Sequence, residues 1–441
     1  MIFVLLFLLI ALLIFNLYYT KFDYIAPNVV FNASFVFSVF MCTLYYKKWD
    51  VNLNYQTFFI ILIGNIVFSI TCILLSKKGK DEIENDNDNK NNYELPEYKF
   101  KNLYGILFLI LGIITIFETA LYVTKSVGTD LAHLRTALYT YRDKVEFRGE
   151  DYSLPSYLNI LTGTMHAGGF WFIALFLTNF KKNKKINWIT LINIIICLLS
   201  TFLEGSRSMA INYILFAICY GIYLVNYSNK FEKSIGNKTL IKIVLLGILI
   251  LASFRLTAVF VGRDNTSSFS TIDYIALYTG AEIKNLDTYI VEDDDNTFQF
   301  GKYTFSTLYS TFAPYFDLDS TTSFPFKRIN GYNLGNVYTI FYHFYKDLGF
   351  LGVFIFSGFM AAVAQWLYNM AKKCKLQGEY GINLKSIIYC YTFSGIFYSF
   401  FSNHFFGLIF SLSFIKYLVM WTIMNYIFMK NEKMRFDFLK K

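Results

Sequence analysis

Three long apolar runs, residues 1–19, 105–123 and 405–429, constrain this chain more than anything else in it. Each is long enough to cross a hydrocarbon core, which takes roughly 20 predominantly apolar residues. A bilayer interior offers no water to free backbone groups, so such runs cross it as helices. Composition agrees: 55% of the 441 residues are hydrophobic and only 16% are charged, where soluble domains average about 25% charged. The expected fold is all-α, a polytopic transmembrane helix bundle forming a single integral membrane domain over residues 1–441.

Hydropathy places eleven spans, near 1–19, 26–46, 57–75, 103–123, 156–178, 186–203, 209–226, 240–260, 348–370, 384–401 and 405–429. The formal charge of +9 would point to nucleic acid in a soluble protein. Here the lysines gather in short connections instead: KKNKK at 181–185, AKKCK at 371–375, the tail after Met429, and Lys230, Lys233 and Lys238. Alternating spans put all of these on one side, which the positive-inside rule makes the cytoplasm. Lys47 and Lys48 go against this pattern, because they fall outside. No nucleic-acid partner is expected, and the first span reads as a retained helix because it lacks a basic leader and a small-residue cleavage site.

Two segments then face outward, a first outer loop at 124–155 and a large one at 261–347 that carries more acidic than basic residues. Within the latter, 271–291 has the pattern of an amphipathic helix lying near the interface. Segment 76–102, rich in Asn, Asp and Lys, reads as a disordered cytoplasmic linker. The six cysteines lie in or beside apolar runs without a CxxC and read as core residues.

The candidate site residues come from the outer side. Arg207 stands in Glu204-Gly205-Ser206-Arg207-Ser208, a tight turn between spans, where a guanidinium at membrane depth is expensive and therefore informative. It competes with a plainer reading in which Arg207 snorkels to headgroups or pairs with Glu204. Arg255, inside an apolar run, and Arg263 are separated by about 800° of helix rotation and so share a helical flank. With Arg207 they match the bidentate geometry of a pyrophosphate. Arg135 and Arg142, seven apart, share a face of an outer helix, whereas Arg148 is closer to ordinary solvated surface. His343 precedes Asp347 by four residues, so both face one side of a helical turn, and a carboxylate beside an imidazole suits a general base. Asp347 as a residue packing the mouth of the helix fits equally well. His166 in GTMHAGG reads as helix packing, and His133 and His404 are individually uninformative. Asp293-Asp294-Asp295 lacks calcium-loop spacing, and a lone Asp317-x-Asp319 is weak ground for a metal, so neither metal nor cofactor is expected.

These marks together resemble the Wzy-type oligosaccharide repeat-unit polymerases of bacterial envelopes, over most of residues 100–372. The resemblance rests on Gly205-Ser206-Arg207, on Tyr274, Tyr278 and Asn285-Leu286-Asp287, on Asn336-Val337-Tyr338-Thr339, and on Asp347-Leu348-Gly349-Phe350-Leu351-Gly352. It differs at Leu348, where the family more often has Phe. The resemblance implies a multi-pass enzyme of the bacterial cytoplasmic membrane that joins undecaprenyl-pyrophosphate-linked oligosaccharides on the outer face, using neither nucleotide nor metal. It further implies arginines on the pyrophosphate, His343 or Asp347 as the catalytic pair, and Asn336, Tyr338 and Thr339 on the sugar. Membrane lipid, a chain-length regulator and a flippase are the partners it brings in. An O-antigen ligase-type transferase and a lipid-linked oligosaccharide flippase are the competing readings. A transporter, however, should show internal symmetry, which this chain lacks.

Overall fold

A computed structural model describes residues 1–85, 93–147, 153–204, 207–232, 235–236, 241, 270–292, 298–376 and 381–429. The chain is a bundle of helices: α1 (Ile2–Tyr19), α2 (Pro27–Leu44), α3 (Tyr55–Asn85), α4 (Asn102–Ser126), α5 (Leu134–Arg142), α6 (Ser156–Asn183), α7 (Trp188–Thr201) and α8 (Ser208–Ser228). After the large outer loop begins come α9 (Thr271–Thr279), α10 (Ala281–Glu292), α11 (Ser306–Phe312), a hairpin of β1 (Lys327–Ile329) and β2 (Tyr332–Gly335), and α12 (Ile340–Lys373). The chain closes with α13 (Leu384–Phe397), α14 (His404–Ile409) and α15 (Leu412–Phe428). Among the described residues, seven helices are long and apolar enough to cross a membrane: α1, α2, α3 as far as Ser76, α4, α6, α8 and α12. This is a multi-pass membrane protein. Helices α7 and α15 are apolar but shorter, and the expected span at 240–260 lies outside the described residues, apart from residue 241.

The two ends of the bundle sort by chemistry. At one end, Lys48 pairs with Asp273 (3.2 Å), the Asn54 amide donates to Asp287 (2.7 Å), and Lys284 Nζ donates to the Asp50 carbonyl (2.8 Å). The α2–α3 turn therefore lies on the same side as the large acidic loop. This explains Lys48, whose charge is answered by Asp273 rather than by the membrane. At the other end, the 20–26 turn meets the ends of α8 and α12, where Lys372 and Lys373 lie in the last turn. We call these the loop end and the lysine end.

Between them the core is aromatic and glycine-notched. Phe31 stacks on Phe68 with centroids 4.0 Å apart, joining α2 to α3. Trp171 Nε1 donates to Asn425 Oδ1 and Trp421 Nε1 to the Ala167 carbonyl (2.8 Å each), tying α6 to α15. In the Gly-rich part of α6, Gly168 faces the Phe108 ring and Gly169 the Tyr213 ring at distances that leave no room for a Cβ. Small residues of this kind let helices approach closely where the hydrophobic effect between them is absent.

Three expectations need correcting. Residues 271–291 form two helices broken at Gly280, where a side chain would strike the Cys42 amide and the Met41 carbonyl carbon. The second of them, α10, is mostly buried against α2 and α3 rather than lying on an interface. The run 405–429 is two helices, α14 and α15, because the Ser411 hydroxyl accepts from the Phe414 amide and starts a new helix there. The linker at 76–102 is narrower than composition implied. Helix α3 continues to Asn85, and Leu95, Tyr98 and Phe100 are buried at the lysine end.

Candidate functional site

The site is built at the loop end, where α12 breaks. Helical geometry fails at Leu348 and Gly349, with φ of +60° at Gly349, and the helix kinks. Only glycine adopts that backbone without strain. Gly352 completes the turn, since a Cβ there would lie 2.1 Å from the Phe344 carbonyl oxygen. Asp347, which has no exposed surface, fixes the outside of the turn by accepting from the Tyr303 and Thr304 amides (3.0 and 2.7 Å). Asn403 grips the same two residues by their carbonyls (3.3 and 2.7 Å). The D-x-G-x-x-G pattern is thus a bend with an anchor, and both Asp347 oxygens are held by main-chain amides.

One turn earlier, His343 is buried and its ring packs against Phe324 (5.4 Å). Its Nδ1 makes no well-formed hydrogen bond, although the Thr339 backbone one turn back is within reach of the ring, and the buried Thr339 Oγ1 has no partner among the described residues. Buried polar atoms in native proteins are rarely left unmatched, which makes this pair a candidate position for a polar ligand. His343 and Asp347 do not form a pair, because Asp347 turns to the 303–304 amides. Tyr338 is buried, donates to the Pro325 carbonyl (2.7 Å) and stacks on Tyr342 (4.4 Å). Asn336 is half-buried in the connection between β2 and α12. Asn285 Nδ2 holds that connection by donating to the Leu334 and Val337 carbonyls (3.1 and 2.9 Å).

Arg207 begins α8 and is 6% exposed. Its Nη2 donates to Tyr274 Oη (3.1 Å), and its guanidinium lies 6.0 Å from the Tyr278 ring centre. Burial pushes the Tyr274 phenol up to about 12, so it meets Arg207 as a neutral hydroxyl. Helix α9 presents both tyrosines because its amino end is secured by a capping box. Ser270 accepts from the Asp273 amide, and the Asp273 carboxylate answers the Ser270 backbone. Asp273 also receives Tyr45 Oη (2.7 Å); the Ser270 hydroxyl, then that tyrosine, hold its carboxyl well below the usual range.

A row of rings joins the two halves. Tyr278 is nearly parallel to Phe401 (16°, 6.4 Å), Phe401 to His404 (22°, 6.2 Å), and His404 lies 4.9 Å from Tyr398. Each of these four side chains is half-buried, leaving part of its surface open. The same turn carries Asn403, which holds the Tyr303–Thr304 backbone that Asp347 also holds. The turn at 398–404 therefore links the Arg207 side, through Tyr278 and Phe401, to the bend that follows His343. The sequence marks that turn only by the density of rings in YSFFSNHFF between two apolar helices.

The remaining candidates are placed less centrally. Arg135 is exposed and Arg142 half-buried on α5, whose other face packs on α4 through Ala137, Leu138 and Tyr141. Helix α5 also touches the turn Phe202–Glu204 that leads to Arg207. Arg255, Arg263, Arg148, Gly205, Ser206 and Asp293–Asp295 lie outside the described residues. Asp319 pairs with the Lys302 ammonium (2.9 Å), so its charge is already answered by a cation of the chain. No protein-family model, curated protein or solved structure matches the chain.

Proposed function

We propose that this protein joins oligosaccharide units carried on undecaprenyl pyrophosphate into a longer surface glycan, working at the outer face of the bacterial cytoplasmic membrane. The observation that carries the reading is the arrangement just described: a buried guanidinium beside Tyr274 and Tyr278, a row of half-open rings from Tyr278 through Phe401 to His404, and a turn at 398–404 tied to the bend that follows the buried His343. A phosphate-type anion suits Arg207, and aromatic surface with few polar groups is how small-molecule sites are commonly lined.

In this reading an acceptor hydroxyl oxygen attacks the anomeric carbon of the donor. The new glycosidic C–O bond forms as the C–O bond to the pyrophosphate breaks, and undecaprenyl pyrophosphate leaves with the electron pair. The hydroxyl proton passes to His343 Nδ1, and Arg207 meets the charge that develops on the leaving oxygen. Asp347 acts as a positioning residue that sets the bend carrying His343. Arg255 and Arg263 are further pyrophosphate ligands in this proposal, Arg135 and Arg142 line its approach, and Asn336, Tyr338 and Thr339 form the acceptor wall.

The test is purified protein in lipid nanodiscs with a lipid-linked repeat unit. Longer glycans support a polymerase, and transfer only to a lipid core acceptor means a ligase. A flippase would move the unit across vesicles without elongation. Arg207→Ala should lower elongation on the order of 10²–10³-fold at normal protein level and unchanged thermal stability. Full elongation by that variant would remove Arg207 from the site.

A further inference from the structure

Residues 298–326 hold a second feature that the proposed chemistry does not use. Four large apolar side chains there are open to the surroundings: Phe312 at 51%, Tyr315 at 82%, Phe316 at 69% and Leu318 at 50%. Phe312 ends α11, Tyr315 ends the 3₁₀ turn Ala313–Tyr315 that follows it, and Phe316 and Leu318 come directly after. The stretch is a loop with a closed neck. Lys302 and Asp319 pair across its base, and the Tyr303 and Thr304 amides are held by Asp347. Beyond it, Tyr342 Oη donates to the Ser323 carbonyl (2.9 Å) and Tyr338 Oη to the Pro325 carbonyl (2.7 Å). A segment tethered this firmly at both sides holds its open rings in a fixed place.

The height of that place follows from its root. Phe305 packs against Phe356, Phe359, Phe406 and Phe410, with centroids 5.2–6.4 Å away, and Phe300 lies 6.5 Å from Phe356. Phe359 stands ten residues past the bend at Gly349, about 15 Å along the helix. The flank of α12 beside this root, with Phe350, Leu351, Phe354 and Ile355 exposed, is the apolar outer surface of a span. Thr307 touches the position of Gly407 on α14, so α11 starts within that same band. Past Tyr315 the backbone loses regular structure, and Asp317 and Asp319 appear. Irregular backbone is not tolerated against hydrocarbon, so from Phe316 onward the chain runs at headgroup level, where water still reaches the backbone.

We propose that residues 306–318 form a finger whose rings sit in the boundary between headgroups and acyl chains of the leaflet at the loop end. The occupant of this face is lipid, because the root of the finger packs on the same span whose open flank is apolar. Helical backbone satisfies its own hydrogen bonds where the finger enters the leaflet, and aromatic side chains favour that boundary. The inference is independent of the proposed polymerase activity.

The six native cysteines are all buried, so one introduced cysteine can be labelled selectively with an environment-sensitive fluorophore in nanodiscs. Phe316→Cys and Tyr315→Cys should give blue-shifted emission, quenched several-fold more by nitroxide on lipid acyl chains than by iodide. Asn333→Cys, on the exposed hairpin, should show the reverse. Dominant iodide quenching at 315 and 316 would overturn the finger by placing it in water. Protection from both quenchers would overturn it too, by showing that a second protein chain covers the face. Unchanged melting of each labelled variant establishes that the fold is being read.

Discussion

The two ends of the bundle treat buried polarity differently. At the lysine end most of the polar groups answer one another, although Asn226 Oδ1 has no partner among the described residues. Asp23 accepts from Asn226 Nδ2 (3.1 Å) and from Tyr368 Oη, with Lys372 3.9 Å away. Tyr223 Oη donates to the Ala371 carbonyl, Tyr98 Oη to the Leu376 carbonyl, and the Leu376 amide to Tyr227 Oη. At the loop end, by contrast, Thr339 Oγ1, His343 Nδ1 and both Glu282 oxygens are buried without partners among the described residues. An unmatched buried polar group costs about 1–3 kcal/mol, so a fold that keeps several at one end has a use for them there. In the proposed reading the lysine end closes the bundle and the loop end receives the substrate.

The sharpest way to break this contrast is at His343. His343→Ala should lower elongation on the order of 10²–10⁴-fold while leaving the melting temperature unchanged or higher, because an unmatched buried nitrogen is removed. Elongation at the native rate in nanodiscs would show that the unmatched atoms at the loop end have no catalytic part.

The lysine end should respond in the other currency, stability. Asp23→Ala strands the donors of Asn226 and Tyr368 and should destabilise the protein by about 3 kcal/mol, read as a lower unfolding midpoint in detergent. Activity per folded molecule should stay within a factor of about two. A loss of activity beyond the loss of folded protein would mean that the lysine end takes part in turnover.

A third effect concerns Glu282, and it depends on pH. Burial pushes its carboxyl well above its ordinary 4.5. The folded state thus binds a proton that the unfolded chain releases, and stability from this site is full below about pH 4.5 and falls as pH rises toward the folded value. Glu282→Gln keeps the shape without the proton. Its advantage over the native protein should be absent near pH 4 and grow by up to about 1.4 kcal/mol per pH unit above that. Melting curves from pH 4 to 8 check this, and parallel curves for the two proteins would show that Glu282 is ionised and paired.

Much of the fold was legible because lipid imposes so few solutions on an apolar run. The spans at Ile2–Tyr19, Pro27–Leu44 and Asn102–Ser126 lie close to where hydropathy alone puts them. The errors fell where a local contact overrides the pattern: Gly280 against the backbone of α2, Ser411 starting α15, and the aromatic residues of 93–100 packing under the lysine end. Of the candidate site, Arg207 was visible because charge at a membrane turn is costly, and His343 because it lies just before a glycine-rich bend. The part played by 398–404 was not visible, since nothing in a local pattern reports that Phe401 lies between Tyr278 and His404.

The sequence by itself determined that this is a multi-pass helical membrane protein with one acidic loop and a lysine-rich opposite side. Those properties follow from solvation, which each residue meets almost independently of its neighbours. Only the tertiary structure decided that Asp347 binds main-chain amides instead of His343, that Lys48 belongs to Asp273, and that a row of rings runs from Tyr278, beside Arg207, to His404. Those are matters of direction at a scale of a few ångströms, and they are set by how helices distant in sequence pack against one another.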